Sequence, residues 1–289
     1  HDFIRETMHN AQGRQLTPLE AHDICNQIAE IVVVGGVRRS SQISLSDLND
    51  DEMRHAKDWP YPIKRAMANN SAIYREKPTA AEFLQEWGSL AQSGTGERGI
   101  FNLEAAQSKA PSRRYAPLIQ GTNPCGEIML RDMEFCNLSE VVVRPEDDLD
   151  SLLDKVETAA WLGVIQSSFT DFPYLRNQWK KNCDTEALLG VSLTGQMDNP
   201  SVLSSEALSA LKSRVIRIAR KASGVLGTKM PVATTCVKPS GTVSQLVDSA
   251  SGVHPRYSEY YIRRYRISAN DPLFMMMKDA GIPCNPENG

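Results

Sequence analysis

At 289 residues, with 41% hydrophobic and 23% charged residues and no repeat or low-complexity block, the chain can bury a full core, which excludes fibrous and disordered readings. Its 32 basic residues against 35 acidic ones give a net charge of −3; a dedicated polynucleotide binder would show a basic excess, so small anionic ligands are what remain open. No apolar run reaches the length of a membrane span, and the six cysteines are scattered without a CxxC pair, as expected in a reducing cytoplasm rather than in a disulfide framework.

Thr17-Pro18-Leu19-Glu20 combines an N-cap, a first-turn proline and a capping-box glutamate, and predicts a helix over about 18–30. The run Ile31 to Val34, broken by Gly35-Gly36, and the alternating Gln42-Ile43-Ser44-Leu45 predict strands. A second capping box at Thr79 to Glu82 opens a helix toward Gly94. Gly94 to Pro124 then reads as one long connection with a short apolar stop at Ile100-Phe101. Further on, the pattern predicts a strand over Asn137 to Val143, a long helix from Leu149 to about Phe169, and a buried strand at Gly190 to Leu193. A helix from Ser204 to about Leu226, ended by Gly227, and a strand over Val232 to Val237 follow. After a turn at Lys238 to Gly241, Thr242 to Leu246 opens a helix, Tyr257 to Ile267 reads as extended, and Asp271 caps a short helix through Met277. Alternating strands and helices predict an α/β architecture with largely parallel strands, and no linker divides the chain.

The most informative stretch is Gly121-Thr122-Asn123-Pro124-Cys125-Gly126-Glu127-Ile128. Pro124 biases Asn123 toward extended backbone, and in an extended segment Asn123, Cys125 and Glu127 share a face. A nucleophilic or metal-binding cysteine needs a nearby cation to hold its thiolate, whereas the nearest local charge is the Glu127 carboxylate, which favours a protonated sulfur. A neutral thiol beside a carboxylate suits hydrogen-atom chemistry better than attack by sulfur; the plain alternative is a small buried cysteine in a turn. Pro239-Ser240-Gly241-Thr242-Val243-Ser244 has the hydroxyls, glycine and helix start of an anion site, or simply of a helix cap.

Asn123-Pro124-Cys125-Gly126-Glu127-Ile128, with Cys136-Asn137-Leu138 eleven residues after Cys125, resembles the catalytic subunit of class II ribonucleotide reductases. The likeness extends, in the same order, to Gly35-Gly36-Val37-Arg38-Arg39-Ser40, Gly96-Glu97-Arg98-Gly99-Ile100, Cys236-Val237-Lys238-Pro239-Ser240-Gly241-Thr242 and Ser251-Gly252-Val253-His254-Pro255. The resemblance implies part of a ten-stranded α/β barrel, its later half, with a central finger loop carrying the radical cysteine, Cys125. It implies adenosylcobalamin as cofactor, with Cys125 as the thiyl radical that takes the ribose 3′ hydrogen and Glu127 as base on the 3′ hydroxyl. Asn123 would hydrogen-bond the substrate hydroxyls, Cys136 would be one half of the reducing dithiol, and Pro239, Ser240, Gly241 and Thr242 would bind substrate phosphates. Implied partners are a ribonucleoside di- or triphosphate, a deoxynucleotide effector and a thioredoxin-type reductant, with neither polynucleotide nor membrane, and with no metal held by the chain's own residues. The sequence starts on His1 rather than a methionine and holds no candidate for the second cysteine of the dithiol or for a C-terminal cysteine pair, so it is expected to be a piece of a longer polypeptide. Rival readings are a reductase of another radical class and a non-catalytic nucleotide-binding or assembly fragment.

Other features read more plainly. Gly35 to Arg39 lacks the spacing of a dinucleotide fingerprint. Arg263, Arg264 and Arg266, interleaved with Tyr261 and Tyr265, form either a basic recognition face or a solvated strand face. His254 has no second histidine at ligand spacing, and Cys25, Cys183 and Cys284 read as packing or surface residues.

Overall fold

A computed structural model describes residues 1–31, 40–265 and 267–286, together with the backbone of Val33, Val34, Arg38 and Arg39. The Gly35-Gly36-Val37 motif, Val32 and Arg266 lie outside the described residues. In chain order the elements are α1 (Asp2–Asn10), α2 (Pro18–Glu30), β1 (Val33–Val34), β2 (Arg38–Arg39), β3 (Gln42–Asp47), α3 (Asp51–Arg54), β4 (Ala68–Tyr74), α4 (Ala80–Gln92) and β5 (Gly99–Asn102). They continue with α5 (Leu103–Ser108), β6 (Gly121–Thr122), β7 (Met129–Leu130), β8 (Asn137–Val142), α6 (Leu149–Ser167), α7 (Asn177–Glu186), β9 (Leu189–Thr194), α8 (Ser205–Leu226), α9 (Val243–Leu246) and α10 (Pro272–Asp279). The chain is mixed α/β and divides into two compact units, His1–Asn102 with Ile262–Gly289, and Leu103–Tyr261.

In the first unit, β3, β4 and β5 form a parallel sheet with Gln42 opposite Ala68 and Ser71 opposite Gly99. The helices start where their caps dictate: both Thr17 and Thr79 accept the N–H of the glutamate three residues on, and that glutamate reaches back to the cap N–H. Glu86 on α4 is buried between two guanidiniums, accepting from Arg54 Nε at 2.7 Å and Arg98 Nε at 3.0 Å. Two expectations are corrected here. Ile31 belongs to the end of α2, while Val33–Val34 pair antiparallel to Arg38–Arg39. The supposed long connection from Gly94 contains β5, because Ile100-Phe101 finds a parallel backbone partner in β4, and α5 follows directly.

The second unit is built on β8 and β9, parallel with Asn137 opposite Leu189, and backed by α6 and α8. Val141, Val143 and Val191 pack with Leu152, Val156, Ala159 and Ala160 of α6 and Leu211, Val215 and Ile218 of α8. Each fully buried Val, Leu or Ile among these contributes roughly 1.5–3 kcal/mol. α6 lies so close to the sheet that a Cβ added at Gly163 would stand 2.0 Å from Leu189 Cδ2, so any side chain there forces Leu189 to move. α8 starts at the Ser204 cap and stops where Gly227 turns left-handed, as the sequence predicts. The expected strand over Val232 to Val237 is reduced to one parallel bridge, Thr235 to Val191. The backbone still bonds to β9 irregularly, Leu189 N–H to Ala233 O and Cys236 N–H to Val191 O, so the chain runs beside β9 without forming a regular ladder.

Alternation decides what each face of this sheet carries. Ser139, Val141 and Val143 face the helices, and Ser139 Oγ donates to Ala159 O of α6 at 3.1 Å. Leu138 and Glu140 of β8, with Cys136 just before it, and Gly190, Ser192 and Thr194 of β9 are therefore on the opposite face.

Candidate active site

β6 and β7 pair antiparallel, Gly121 opposite Leu130 and Thr122 opposite Met129, so residues 123–128 are the tip of a hairpin. The tip is a turn, which corrects the extended segment expected from Pro124. Gly126 N–H donates to Asn123 O at 3.0 Å and Gly126 adopts φ +83°, a conformation that glycine alone takes at no steric cost. The even spacing of Asn123, Cys125 and Glu127 therefore does not put them on one face. Asn123 braces the turn instead: its Oδ1 accepts the Ile128 N–H at 3.0 Å, while its own backbone N–H donates to Ile128 O at 3.1 Å. Cys125 stands exposed at the tip, and Glu127 turns inward with Oε2 buried and without a hydrogen-bond partner.

Beneath the tip lies the helix-free face of the β8–β9 sheet. A Cβ added at Gly190 would lie 2.6 Å from Leu138 Cδ2, 2.8 Å from Cys236 Sγ and 3.0 Å from Ile128 Cδ1, so these three side chains converge over a glycine that leaves them room. Ile128 thus seats the hairpin on the sheet. Burial pushes the Cys136 thiol up to about 11 and the Cys236 thiol up to about 12, and in both the Glu127 carboxylate is the strongest charge acting in the same direction. Both sulfurs carry their proton at neutral pH. No disulfide forms among the six cysteines. Cys25 and Cys284 are exposed and Cys183 is buried, where its sulfur accepts the Phe135 N–H at 3.4 Å.

The backbone leaving Cys236 continues as Lys238, whose N–H donates to Ser192 Oγ at 2.9 Å and whose Nζ lies 3.6 Å from Glu140 Oε2. The predicted anion loop follows. Pro239, Gly241 and Thr242 are exposed, whereas Ser240 is buried in a left-handed conformation (φ +54°) with its Oγ unpartnered. α9 is a single turn, and its Thr242 cap makes no side-chain bond, so the loop's exposed backbone and the Thr242 hydroxyl are the groups turned toward solvent.

Sequence reasoning missed the placement of Cys236 beside Glu127 and Cys136, and of Glu140 and Lys238 near Cys236; the one available signal was that Cys236 and Lys238 sit within the motif leading into the loop. His254 is exposed, with Nδ1 3.2 Å from Ser251 O. The Tyr257 to Ile267 stretch has no regular secondary structure among its described residues, and Tyr261 Oη donates to Gln245 Oε1 at 2.8 Å. Among the described residues no group of three or more His, Cys, Asp or Glu is arranged to hold a metal ion, and no helix is long and apolar enough to cross a membrane.

No protein-family model matches the chain. The adenosylcobalamin-dependent ribonucleoside-triphosphate reductase of Levilactobacillus brevis is 30% identical, with 98% of this chain and 42% of that protein covered. The enzyme of the same name from Lacticaseibacillus paracasei matches with the same identity and coverage. The chain thus spans about two-fifths of the length of the curated relatives it matches. Among solved structures, a B12-dependent (class II) ribonucleotide reductase superposes with a TM-score of 0.68 and 25% identity, over 87% of this chain and 39% of that one. The class Id ribonucleotide reductase alpha subunit of Actinobacillus ureae shares the fold, with a TM-score of 0.64 and 16% identity over 90% of this chain and 55% of that one.

Proposed function

We propose, for a chain homologous along nearly its whole length to the class II ribonucleotide reductases, that the complete protein reduces ribonucleotides to 2′-deoxyribonucleotides by thiyl-radical chemistry. The observation that carries this reading is the hairpin itself: an exposed cysteine at its tip, and an inward carboxylate against a sheet face bearing a protonated thiol. In this reading the hairpin is the finger loop of a ten-stranded barrel of which this chain forms a part.

The chain's own residues divide the work. Cys125, as a thiyl radical, takes the 3′ hydrogen of the ribose and later returns it. Glu127 accepts the 3′ hydroxyl proton on Oε2, an acceptor buried here without a donor. Asn123 has spent its carbonyl oxygen on the turn, which leaves its N–H2 to donate to the substrate hydroxyls. As the 2′ hydroxyl leaves as water, Cys136 and a second thiol are oxidised to a disulfide, giving up the two electrons and two protons that balance the reduction. A thiol pushed up to about 11 keeps its hydrogen until that moment. The exposed Gly241 and Thr242, with the Thr242 hydroxyl as a donor, bind the phosphates, while Pro239 and the buried Ser240 shape the loop that presents them, and the names of the relatives favour a triphosphate.

Adenosylcobalamin, when bound, supplies the radical equivalent that oxidises Cys125. The residues present fit it: the sulfur stands exposed, and a Cβ added at the neighbouring Gly126 would meet nothing within 4 Å, so a large planar group can approach the tip. A thioredoxin-type reductant, a deoxynucleotide effector and a cytoplasmic setting complete the proposal.

The test is turnover by the complete protein. Reduction should require adenosylcobalamin and no second subunit, and Cys125→Ser should abolish it while nucleotide affinity stays within a few fold. A Cys125→Ser enzyme that still reduces would remove the mechanism, and an obligatory iron-containing partner would move the protein to another reductase class.

A further inference from the structure

Glu140 and Lys238 are charged groups that the chemistry above leaves unused, yet they lie on the face that carries Cys136 and Cys236. The Glu140 side chain is only 9% exposed, and neither of its carboxylate oxygens has a hydrogen-bond partner; its counter-charge is Lys238 Nζ, 3.6 Å away and 24% exposed. A buried pair held at that distance without hydrogen bonds is a poor source of stability, because desolvating both charges offsets their attraction.

What the pair does accomplish is geometric. Glu140 lies four residues after Cys136 on the same face of β8, opposite Ser192 of β9. Lys238 immediately precedes the Pro239 to Thr242 loop and is tied at both ends, by its N–H to Ser192 Oγ and by its ammonium to Glu140. The loop's first residues are packed from the other side: Ser251 Oγ donates to Pro239 O at 2.8 Å, and a Cβ on Gly252 would come within 2.8 Å of Lys238 O. The loop is therefore gripped by its entry residue, and the side-chain half of that grip is the ion pair.

We propose that the Glu140–Lys238 pair is a positioning strut that fixes the phosphate loop relative to the strand carrying Cys136, and so sets where the ribose of a phosphate-anchored nucleotide falls between Cys125 and Cys136. This rests on the reading of residues 239–242 as the phosphate loop. Neither residue needs to touch the reacting atoms. A nucleotide held by its phosphates and cut by chemistry at its sugar requires a fixed separation between the two anchoring elements, and a misplacement of about 1 Å can cost on the order of a hundredfold in rate.

The test uses the complete protein and four variants: Glu140→Gln, Lys238→Met, the apolar double variant Glu140→Leu with Lys238→Met, and the charge exchange Glu140→Lys with Lys238→Glu. Urea stability, equilibrium binding of a ribonucleoside triphosphate, and kcat and KM are measured for each. The single variants should lose roughly tenfold to a hundredfold in kcat/KM. The apolar double variant should recover wild-type stability or exceed it, as apolar replacements of buried pairs often do, yet keep the catalytic loss. The charge exchange should recover part of it. If the apolar double variant regains stability and kcat/KM together, the pair only packs and the inference is wrong; it is equally wrong if the single variants bind and turn over as wild type does. A wild-type protein that binds no triphosphate would sink the phosphate-loop reading itself, and this inference with it.

Discussion

Gly190→Ala separates packing from catalysis more sharply than any change to a charged residue. The added methyl would stand 2.6 Å from Leu138 Cδ2, 2.8 Å from Cys236 Sγ and 3.0 Å from Ile128 Cδ1, so three side chains from three segments have to give way at once. Overpacking of this kind costs about 1–3 kcal/mol, measurable as a shift in the urea midpoint. The larger consequence follows from which neighbour yields. Ile128 seats the hairpin, and its N–H holds the Asn123 side chain, so relief at Ile128 moves the tip bearing Cys125 and Glu127. A shift approaching 1 Å would lower turnover by about a hundredfold. Gly163→Ala is the control: its Cβ would lie 2.0 Å from Leu189 Cδ2 in the helix-side core, so it should lower stability while the folded molecules keep their turnover. Equal loss of turnover per folded molecule in both variants, or normal turnover in Gly190→Ala, would refute the claim that Ile128 holds the hairpin in place.

The high thiol values predict slow alkylation of Cys136 and Cys236 by iodoacetamide at pH 7, accelerating as pH rises toward 10, with exposed Cys25, Cys125 and Cys284 labelled before them; peptide mass spectrometry reads this, and rapid labelling of Cys136 at pH 7 would contradict it. Burial, reinforced by neighbouring Glu186, pushes the Glu134 carboxyl above the ordinary glutamate range even though Arg114 and Arg131 contact it. The native state then holds a proton that the unfolded chain releases near the ordinary glutamate value. Stability from this group is complete below that value and is lost as pH rises toward the raised native value. Urea melts across pH 5–9 should show this slope, and Glu134→Gln should flatten it. In the first unit, Glu86→Gln removes the carboxylate shared by Arg54 and Arg98, leaving Arg54 with the exposed Asp51, and should cost about 3–5 kcal/mol; a loss below 1 kcal/mol would mean that water reaches the guanidiniums.

The elements legible in the sequence are those whose boundaries are set locally. Thr17, Thr79 and Ser204 cap helices through contacts three residues away, and Gly227 ends one through its own backbone conformation. β4 was not legible because its first half, Ala68-Asn69-Asn70-Ser71, lacks an apolar pattern. Asn70 is nevertheless buried, because its N–H donates to Glu97 Oε2 at 3.0 Å and its Oδ1 pairs with the His22 ring at 3.1 Å. α7 is likewise almost wholly polar. At the candidate site, residue types were legible and geometry was not. Pro124 suggested an extended chain, but Gly126 and the Asn123 side chain close it into a turn. The approach of Cys236 to Glu127 crosses more than a hundred residues of sequence and exists only because the chain around Thr235 runs alongside Val191, a register that no local pattern encodes.

That register explains why the proposed site suits hydrogen exchange better than thiolate attack. Both Cys136 and Cys236 are desolvated under the hairpin, and Glu127 is the leading charge acting on each of them. Ionising either sulfur would place a second negative charge beside a carboxylate whose Oε2 already lacks a donor. The cation that could have reversed this, Lys238, is paired with Glu140, and its lowering effect on Cys236 is outweighed by burial, Glu127 and Cys136. The face therefore holds sulfurs that keep their hydrogens next to an acceptor that lacks one, and a bound hydroxyl is the group that would complete the arrangement.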